Sequence, residues 1–174
     1  MKEAAKPTYL APLLCDSHQL AREAVKRRKL FNEKTLSADE IAEHEALGWI
    51  VDRKLIKKTR LKKQKLVDER LENRCWMLLF KLGYPEMNQG RNFSVLIERK
   101  GADPIRKQID VFAKDDETVV VIECKACEKM SKRSLQKDIE EFANLKGPIA
   151  SSVHGHYGAR FKPKIIWLRH RSRA

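Results

Sequence analysis

Asp110, Glu123 and Lys125 are the residues whose types and spacing could do chemistry together in this 174-residue chain. The run VVVIECKACEK (119–129) begins as β-formers and then carries Glu123 and Lys125, separated by one residue, with no glycine or proline to end it. Residues two apart on a strand face the same way, so Val121, Glu123 and Lys125 share one face and Val120, Ile122 and Cys124 the other. Asp110 lies in the preceding run, KQIDVFA, and hairpin pairing between the two runs brings its carboxylate near Glu123. Two adjacent carboxylates repel unless a cation sits between them. Magnesium fits, because it takes one or two carboxylates with water and substrate phosphate. Asp110, Glu123 and the Cys124 carbonyl could supply three oxygens. Lys125 would then orient or deprotonate a water, or stabilise charge on a phosphate in transfer. The plain alternative is a surface ion pair between Glu123 and Lys125, and the four apolar residues before Glu123 weigh against it.

The elements that must position these groups follow from periodicity. VDERLENRCWMLLFKLGY is the clearest helix, with Leu71, Cys75, Leu78, Leu79 and Leu82 at helical spacing before Gly83. YPEMNQGRN reads as a turn-rich loop, FSVLIER as a strand and KGADPIR as a loop. KQIDVFA and TVVVIECK form a hairpin about Asp115-Asp116-Glu117. A helix over 131–146 closes at Gly147-Pro148, HGHYGAR reads as an exposed loop, and KPKIIWLR supplies the last strand. The order from residue 65 is helix, three-stranded meander, helix, strand, which predicts an α/β core.

Residues 1–64 read as a helical, basic extension ahead of a core over 65–174. A thin apolar stripe predicts a helix over 17–31, and Ser37 is placed to cap a second that Gly48 ends. Between Arg53 and Lys65 eight lysines and arginines occur with no acid among them. Leu55, Ile56 and Leu61 interrupt that run, which predicts an ordered strand or extended arm presenting its charges on one side. Lys54, Lys57, Lys58, Arg60, Lys62 and Lys63 are its candidate nucleic-acid contacts.

A formal net charge of +13 points to a polyanionic partner. No stretch approaches the length of a membrane-crossing helix, and no signal-peptide core opens the chain, so it reads as cytoplasmic with no membrane partner. In that setting Cys15, Cys75, Cys124 and Cys127 are expected as free thiols. Cys124-x-x-Cys127 has zinc-ligand spacing, but no second CxxC or HxxxH completes a site.

Asp110 followed by Glu123-Cys124-Lys125 at the end of an apolar strand resembles the PD-(D/E)xK nuclease superfamily, over roughly residues 65 to 170. The resemblance implies a restriction-endonuclease-like core and a metal-dependent DNA endonuclease using magnesium, with manganese as a substitute. It also implies a metal-site glutamate on the first helix, where Glu72 stands, and a glutamine on the second core helix, where Gln136 is loosely placed. Ile109 stands where the motif has proline, which contributes no ligand. GWIVDRKLIKKTRLKK, WMLLFKLGYPEMNQGRNFSV and KQIDVFAKDDETVVVIECKA also look like the N-terminal nuclease-like region of bacterial DGQHR-domain proteins, related to DNA sulfur-modification regulators. That narrower resemblance implies a link to phage defence or modified-DNA restriction, and that a chain ending at Ala174 is a piece of a longer protein.

The sequence therefore predicts a phosphodiester-cleaving nuclease, or alternatively a non-catalytic nucleic-acid-binding module on the same fold. It leaves open the form of the nucleic acid and the oligomeric state. A homodimer is the arrangement that two-strand cleavage would call for.

Overall fold

The computed structural model describes residues 14–99, 102–127 and 132–171. Ser131, the expected start of the second core helix, and the first two residues of the expected loop at 100–106 lie outside them. The chain order is β1 (Leu14–Cys15), α1 (Ser17–Arg28), β2 (Phe31–Leu36), a 3-10 turn (Ala38–Glu40) leading into α2 (Ile41–Ala46), β3 (Ile50–Lys54) and β4 (Thr59–Gln64). It continues with α3 (Val67–Lys81), β5 (Glu86–Asn88), β6 (Ser94–Arg99), β7 (Ala102–Gln108), β8 (Val111–Lys114), β9 (Thr118–Cys127), α4 (Lys132–Tyr157) and β10 (Lys162–Arg171).

The main sheet runs β1-β5-β8-β9-β10. Its first three pairings are antiparallel, and β10 lies parallel to β9 after the α4 crossover. Both faces are covered, which is why residues 119–122 are continuously apolar. Val120, Ile122 and Cys124 pack with Val111 and Ala113 beneath Leu20 and Ala24 of α1 and Trp76 and Leu79 of α3. Val119, Val121 and Phe112 pack on the other face with Ile149 and Val153 of α4 and Val95 and Ile97 of β6. The alternation expected for this strand is therefore the one observed, and the chain is α/β with a mixed sheet.

Several elements differ from expectation. FSVLIER does not join the main sheet: β6 pairs with β7 as a separate hairpin lying against α4. Its place in the sheet is taken by β5, inside the stretch expected as loop. Three residues are too few to show a period, and what holds them is a buried asparagine. Asn88 accepts the Phe112 amide at 2.9 Å and donates to the carbonyls of Gly90 (3.1 Å) and Asp110 (3.2 Å), while Trp76 Nε1 donates to its carbonyl at 3.0 Å.

The second helix of the core also overruns its expected end. α4 passes through Gly147 and Pro148 to Tyr157. Proline removes one helical hydrogen bond, but Ile149 and Val153 just beyond it are fully buried, and packing overrides the local preference. His154 and His156 of HGHYGAR thus lie in the last turn of α4 rather than in a loop, both exposed, and Gly158 at φ 97° ends the helix.

The expected helical extension is part helix and part strand. α1 stops at Arg28 because Lys65 Nζ donates to the carbonyls of Lys26 (2.8 Å) and Arg27 (3.4 Å), replacing the next helical donors. β2, β4 and β3 then form an antiparallel sheet. Ser37 stands at the expected N-cap, in a capping box with Glu40, and Gly48 at φ 82° follows α2. β1 and α1 belong to the main core, so a boundary at residue 64 does not separate two hydrophobic cores.

Asn88 joins β5, β8 and the Asp110 turn, and Asn88→Ala would leave the Phe112 amide buried without a partner. The expected loss is about 2–3 kcal/mol, read as a lowered urea midpoint at unchanged m-value.

Candidate active site

The β8–β9 ladder ends at the Val111–Ile122 pair, and the residues just beyond it carry the candidate site. Asp110, one residue before β8, folds its carboxylate over the end of the ladder, where Oδ2 accepts the Cys124 amide at 2.7 Å. A strand residue turns its N–H and C=O to the same neighbour, so the Cys124 carbonyl faces the Asp110 edge as well. Burial pushes the Asp110 carboxyl up from its ordinary value, and the Cys124 amide, Lys125 and Lys107 act against that shift.

Glu123 projects to the α4 side of the sheet beside Trp167, its register partner on β10. Its side chain is buried, and Oε1 has no hydrogen-bond partner among the described residues. Lys107 Nζ lies 3.8 Å from that oxygen, within ion-pair range and beyond a hydrogen bond. Burial, then the charge of Asp110, pushes Glu123 up to about 7. A cleft of about 10 Å³, room for about one water, opens here between Lys107, Glu123, Lys125, Asp138, Glu141 and Trp167. Lys125 is exposed at its rim and lowers both carboxyl groups.

Glu72 faces inward from α3 as expected, but it is committed to another partner. Arg91 grips it with two nitrogens, at 2.6 and 2.7 Å, and reaches Asp68 at 3.2 Å. Burial raises the Glu72 carboxyl while the pair holds the Arg91 guanidinium above its ordinary value. The two short bonds mark an ionised pair, so Glu72 is a carboxylate whose oxygens are already satisfied. The charge of Asp110 also raises the Glu72 carboxyl. Gln136 is exposed and donates to Glu140 at 2.9 Å. It lies off the α4 stripe of Asp138, Glu141, Phe142 and Leu145 that lines the cleft, because residues two apart on a helix do not face the same way.

Cys75 and Cys124 place their sulfurs 3.7 Å apart in the core behind the site. The neighbouring thiol and burial push Cys124 up, so it stays a thiol. Cys15, Cys75 and Cys124 are free.

Among the described residues, no group of three or more His, Cys, Asp and Glu side chains is placed to hold a metal ion. Magnesium asks less of the protein than that: one or two carboxylates suffice. The free Glu123 oxygen, the second Asp110 oxygen and the Cys124 carbonyl suit it, whereas Glu72 does not contribute while Arg91 holds it.

The basic run forms the β3–β4 hairpin. Arg60 and Lys62 pair with Asp52 across it at 2.7 and 3.1 Å, and Lys63 donates to the Leu47 carbonyl at 2.7 Å. Lys54, Lys57 and Lys58 are exposed about the hairpin tip beside a fully exposed Ile56. Arg91, Lys107, Asp138 and Glu141 were not anticipated. Arg91 comes from a segment with no periodic link to the carboxylates, Lys107 opens the same run as Asp110 but at a spacing of three, which strand alternation puts on the opposite face, and only the α4 spacing of Asp138, Glu141 and Leu145 carried a usable signal.

No family model and no curated protein matches the chain. Among solved structures it is similar to the crystal structure of protein VC1899 from Vibrio cholerae, at 15% identity and a TM-score of 0.33. The match covers 88% of this chain and 42% of that one, so the chain spans under half its length. A likeness of that size carries no argument about activity. Among the described residues no helix is long and apolar enough to cross a membrane.

The Glu123 shift has a testable sign. Its folded-state value, about 7, lies above the ordinary 4.5, so the folded state binds the proton more tightly. Stability from this group is full below about pH 4.5 and is lost as pH rises through 7. Glu123→Gln should raise the melting temperature at pH 8 by roughly 5 °C and leave it nearly unchanged at pH 4. Scanning calorimetry at the two values checks this.

Proposed function

We propose that the chain is a magnesium-dependent endodeoxyribonuclease of the PD-(D/E)xK kind. The observation that carries the reading is the closeness of Asp110 and a buried, hydrogen-bond-free Glu123 oxygen just past the point where the β8–β9 ladder ends. The core order supports it once β5 takes the part expected of FSVLIER: α3, then antiparallel β5, β8 and β9, then α4 and a parallel β10.

Asp110, Glu123 and the Cys124 carbonyl would hold the ion, which when bound polarises a phosphoryl oxygen and makes its water more acidic. Asp110 is fixed for that task by the Cys124 amide. Lys125, exposed at the rim, is placed to steady charge on the phosphate or orient the attacking water. Lys107, beside Glu123, keeps the paired carboxylates from repelling the DNA. Glu72 acts through Arg91, which it holds at the edge of the site; it is a positioning residue. Gln136 has no part in this chemistry. Lys54, Lys57 and Lys58 at the hairpin tip are the duplex-backbone contacts of the expected basic run, while Arg60, Lys62 and Lys63 are partly spent within the hairpin.

Plasmid nicking with magnesium, abolished by EDTA, is the direct test. Asp110→Ala and Glu123→Ala should each reduce cleavage at least a hundredfold with DNA affinity equal or higher, and Lys125→Ala should lose turnover with magnesium binding retained by calorimetry. Cleavage surviving in both carboxylate variants would overturn the assignment, and binding by wild type without any cleavage would favour a DNA-binding module.

The charge assignment has its own measurement. Replacing Lys54, Lys57 and Lys58 by glutamine should flatten the slope of log affinity against log salt on duplex DNA by about 2–3, from roughly 0.9 per phosphate contact.

A further inference from the structure

Two adjoining hollows meet at the C-terminal end of α1 and share Lys29. The first, about 300 Å³, lies between α1 and α3. Arg28, Arg70, Arg74 and Lys81 surround it with Lys29, Met77 forms part of its floor, and no acidic side chain lines it. Among the described residues none of Arg28, Arg70, Arg74 and Lys81 is in an ion pair. The second hollow, about 600 Å³, lies toward the small sheet and is lined by Lys26, Lys34, Phe31 and Trp49 among others. Its one acid, Glu33, is paired with Lys29 at 2.7 Å.

A helix C-terminus ordinarily repels anions. Here Lys65 Nζ covers the Lys26 and Arg27 carbonyls, so the junction of the hollows stays positive. The second hollow adds partly exposed aromatic rings, each with a cation over one face. Lys34 Nζ lies 5.0 Å from the Trp49 ring centre and Lys62 Nζ 5.5 Å from that of Phe31. Phosphate-seeking cations next to accessible rings are what a strand with unstacked bases requires, and a duplex, whose bases face one another, leaves the rings unused.

We infer that the joined hollows form a groove for single-stranded DNA, with phosphates against Arg28, Lys29, Arg70, Arg74 and Lys81 and bases stacked on Phe31 and Trp49. The inference names a substrate form for the nuclease proposed above and rests on that reading for its role. Its binding chemistry is separate from the carboxylate site.

The test is binding in EDTA, by fluorescence anisotropy, of a thirty-nucleotide oligo-dT, a thirty-base-pair duplex and oligo-rU to the full chain. Phe31→Ala and Trp49→Ala should each weaken oligo-dT binding about tenfold and change duplex binding less than twofold, with Trp49→Phe close to wild type. The triple replacement Arg70→Gln, Arg74→Gln, Lys81→Gln should flatten the oligo-dT salt slope by about 2, from roughly 0.7 per contact. Unaltered melting temperatures establish that the variants fold; a ring variant that does not is replaced by Phe31→Leu or Trp49→Leu, read the same way. Wild-type oligo-dT affinity in the ring variants, or equal losses on duplex and oligo-dT, overturns the groove. Tighter binding of oligo-rU than oligo-dT overturns the choice of DNA. Oligo-dT binding as described without plasmid cleavage would sink the nuclease alone, and cleavage without oligo-dT binding would sink the groove alone.

Discussion

The hydrogen bond from the Cys124 amide to Asp110 is the constraint on which the candidate site depends. It falls where the β8–β9 ladder stops, so a side chain continues the work of the backbone, and a carboxylate is thereby fixed at the end of a strand with both faces covered. Asn88 holds the same turn from the other side through the Asp110 carbonyl, and Trp76 holds Asn88. The chain from α3 through β5 to the site is thus one connected set of buried polar contacts. Such a set rigidifies when every member is satisfied. Beside it, Glu123 Oε1 has no hydrogen-bond partner among the described residues.

That exception is informative because the rest of the interior is careful about charge. Arg27, buried between α1 and α3, bonds Glu23 (3.1 Å), Asn73 (3.1 Å) and the Gly90 carbonyl (2.7 Å), and lies over the Trp76 ring. Glu72 is matched by Arg91 on both oxygens. Beside these, a buried glutamate with only a distant lysine is a local destabilisation, and burial together with Asp110 favours its protonated form near neutrality. A divalent cation would reverse that preference by supplying the missing opposite charge. Perturbed carboxyl groups of this kind cluster at functional sites, and structural ion-pair networks produce them too.

What the sequence disclosed follows from where period and burial coincide. A strand covered on both faces is an apolar run, so the two charges at its end stood out, and strand alternation put Glu123 and Lys125 on one side as the two packed faces require. Helix α3 was legible through the helical spacing of Leu71, Cys75 and Leu79 and the glycine after it, although Leu78 and Leu82, which share that spacing, are exposed. β5 was not, because three residues held by Asn88 side-chain bonds leave no periodic trace. FSVLIER has the composition of a strand, but alternation says nothing about which edge a strand meets, and β6 pairs with β7 rather than with the main sheet. The continuation of α4 past Pro148 was hidden for a different reason: buried Ile149 and Val153 outweigh a local stop signal. Arg91 could not be found from Glu72, because an ion pair between a helix and a loop 19 residues away follows no spacing rule.

The same distinction sorts the positive charge. A net excess of +13 says that a polyanion is a sensible partner but not which cations meet it. Arg27, Lys65 and Arg91 are consumed by the fold: one ties two helices, one ends a helix and one neutralises a buried glutamate. Arg60 and Lys62 are partly consumed by Asp52, an acid that lies just ahead of the acid-free run in sequence and opposite it in space. Among the cations not so consumed are Lys54, Lys57 and Lys58 at the hairpin tip and Arg28, Arg70, Arg74 and Lys81 around a hollow lined by no acid. The two surfaces differ in shape. A projecting tip meets a backbone from outside, whereas a hollow beside exposed rings admits a chain whose bases are already apart. A nuclease acting where duplex gives way to single strand would use both, and this chain carries both ahead of the strand that bears its carboxylates.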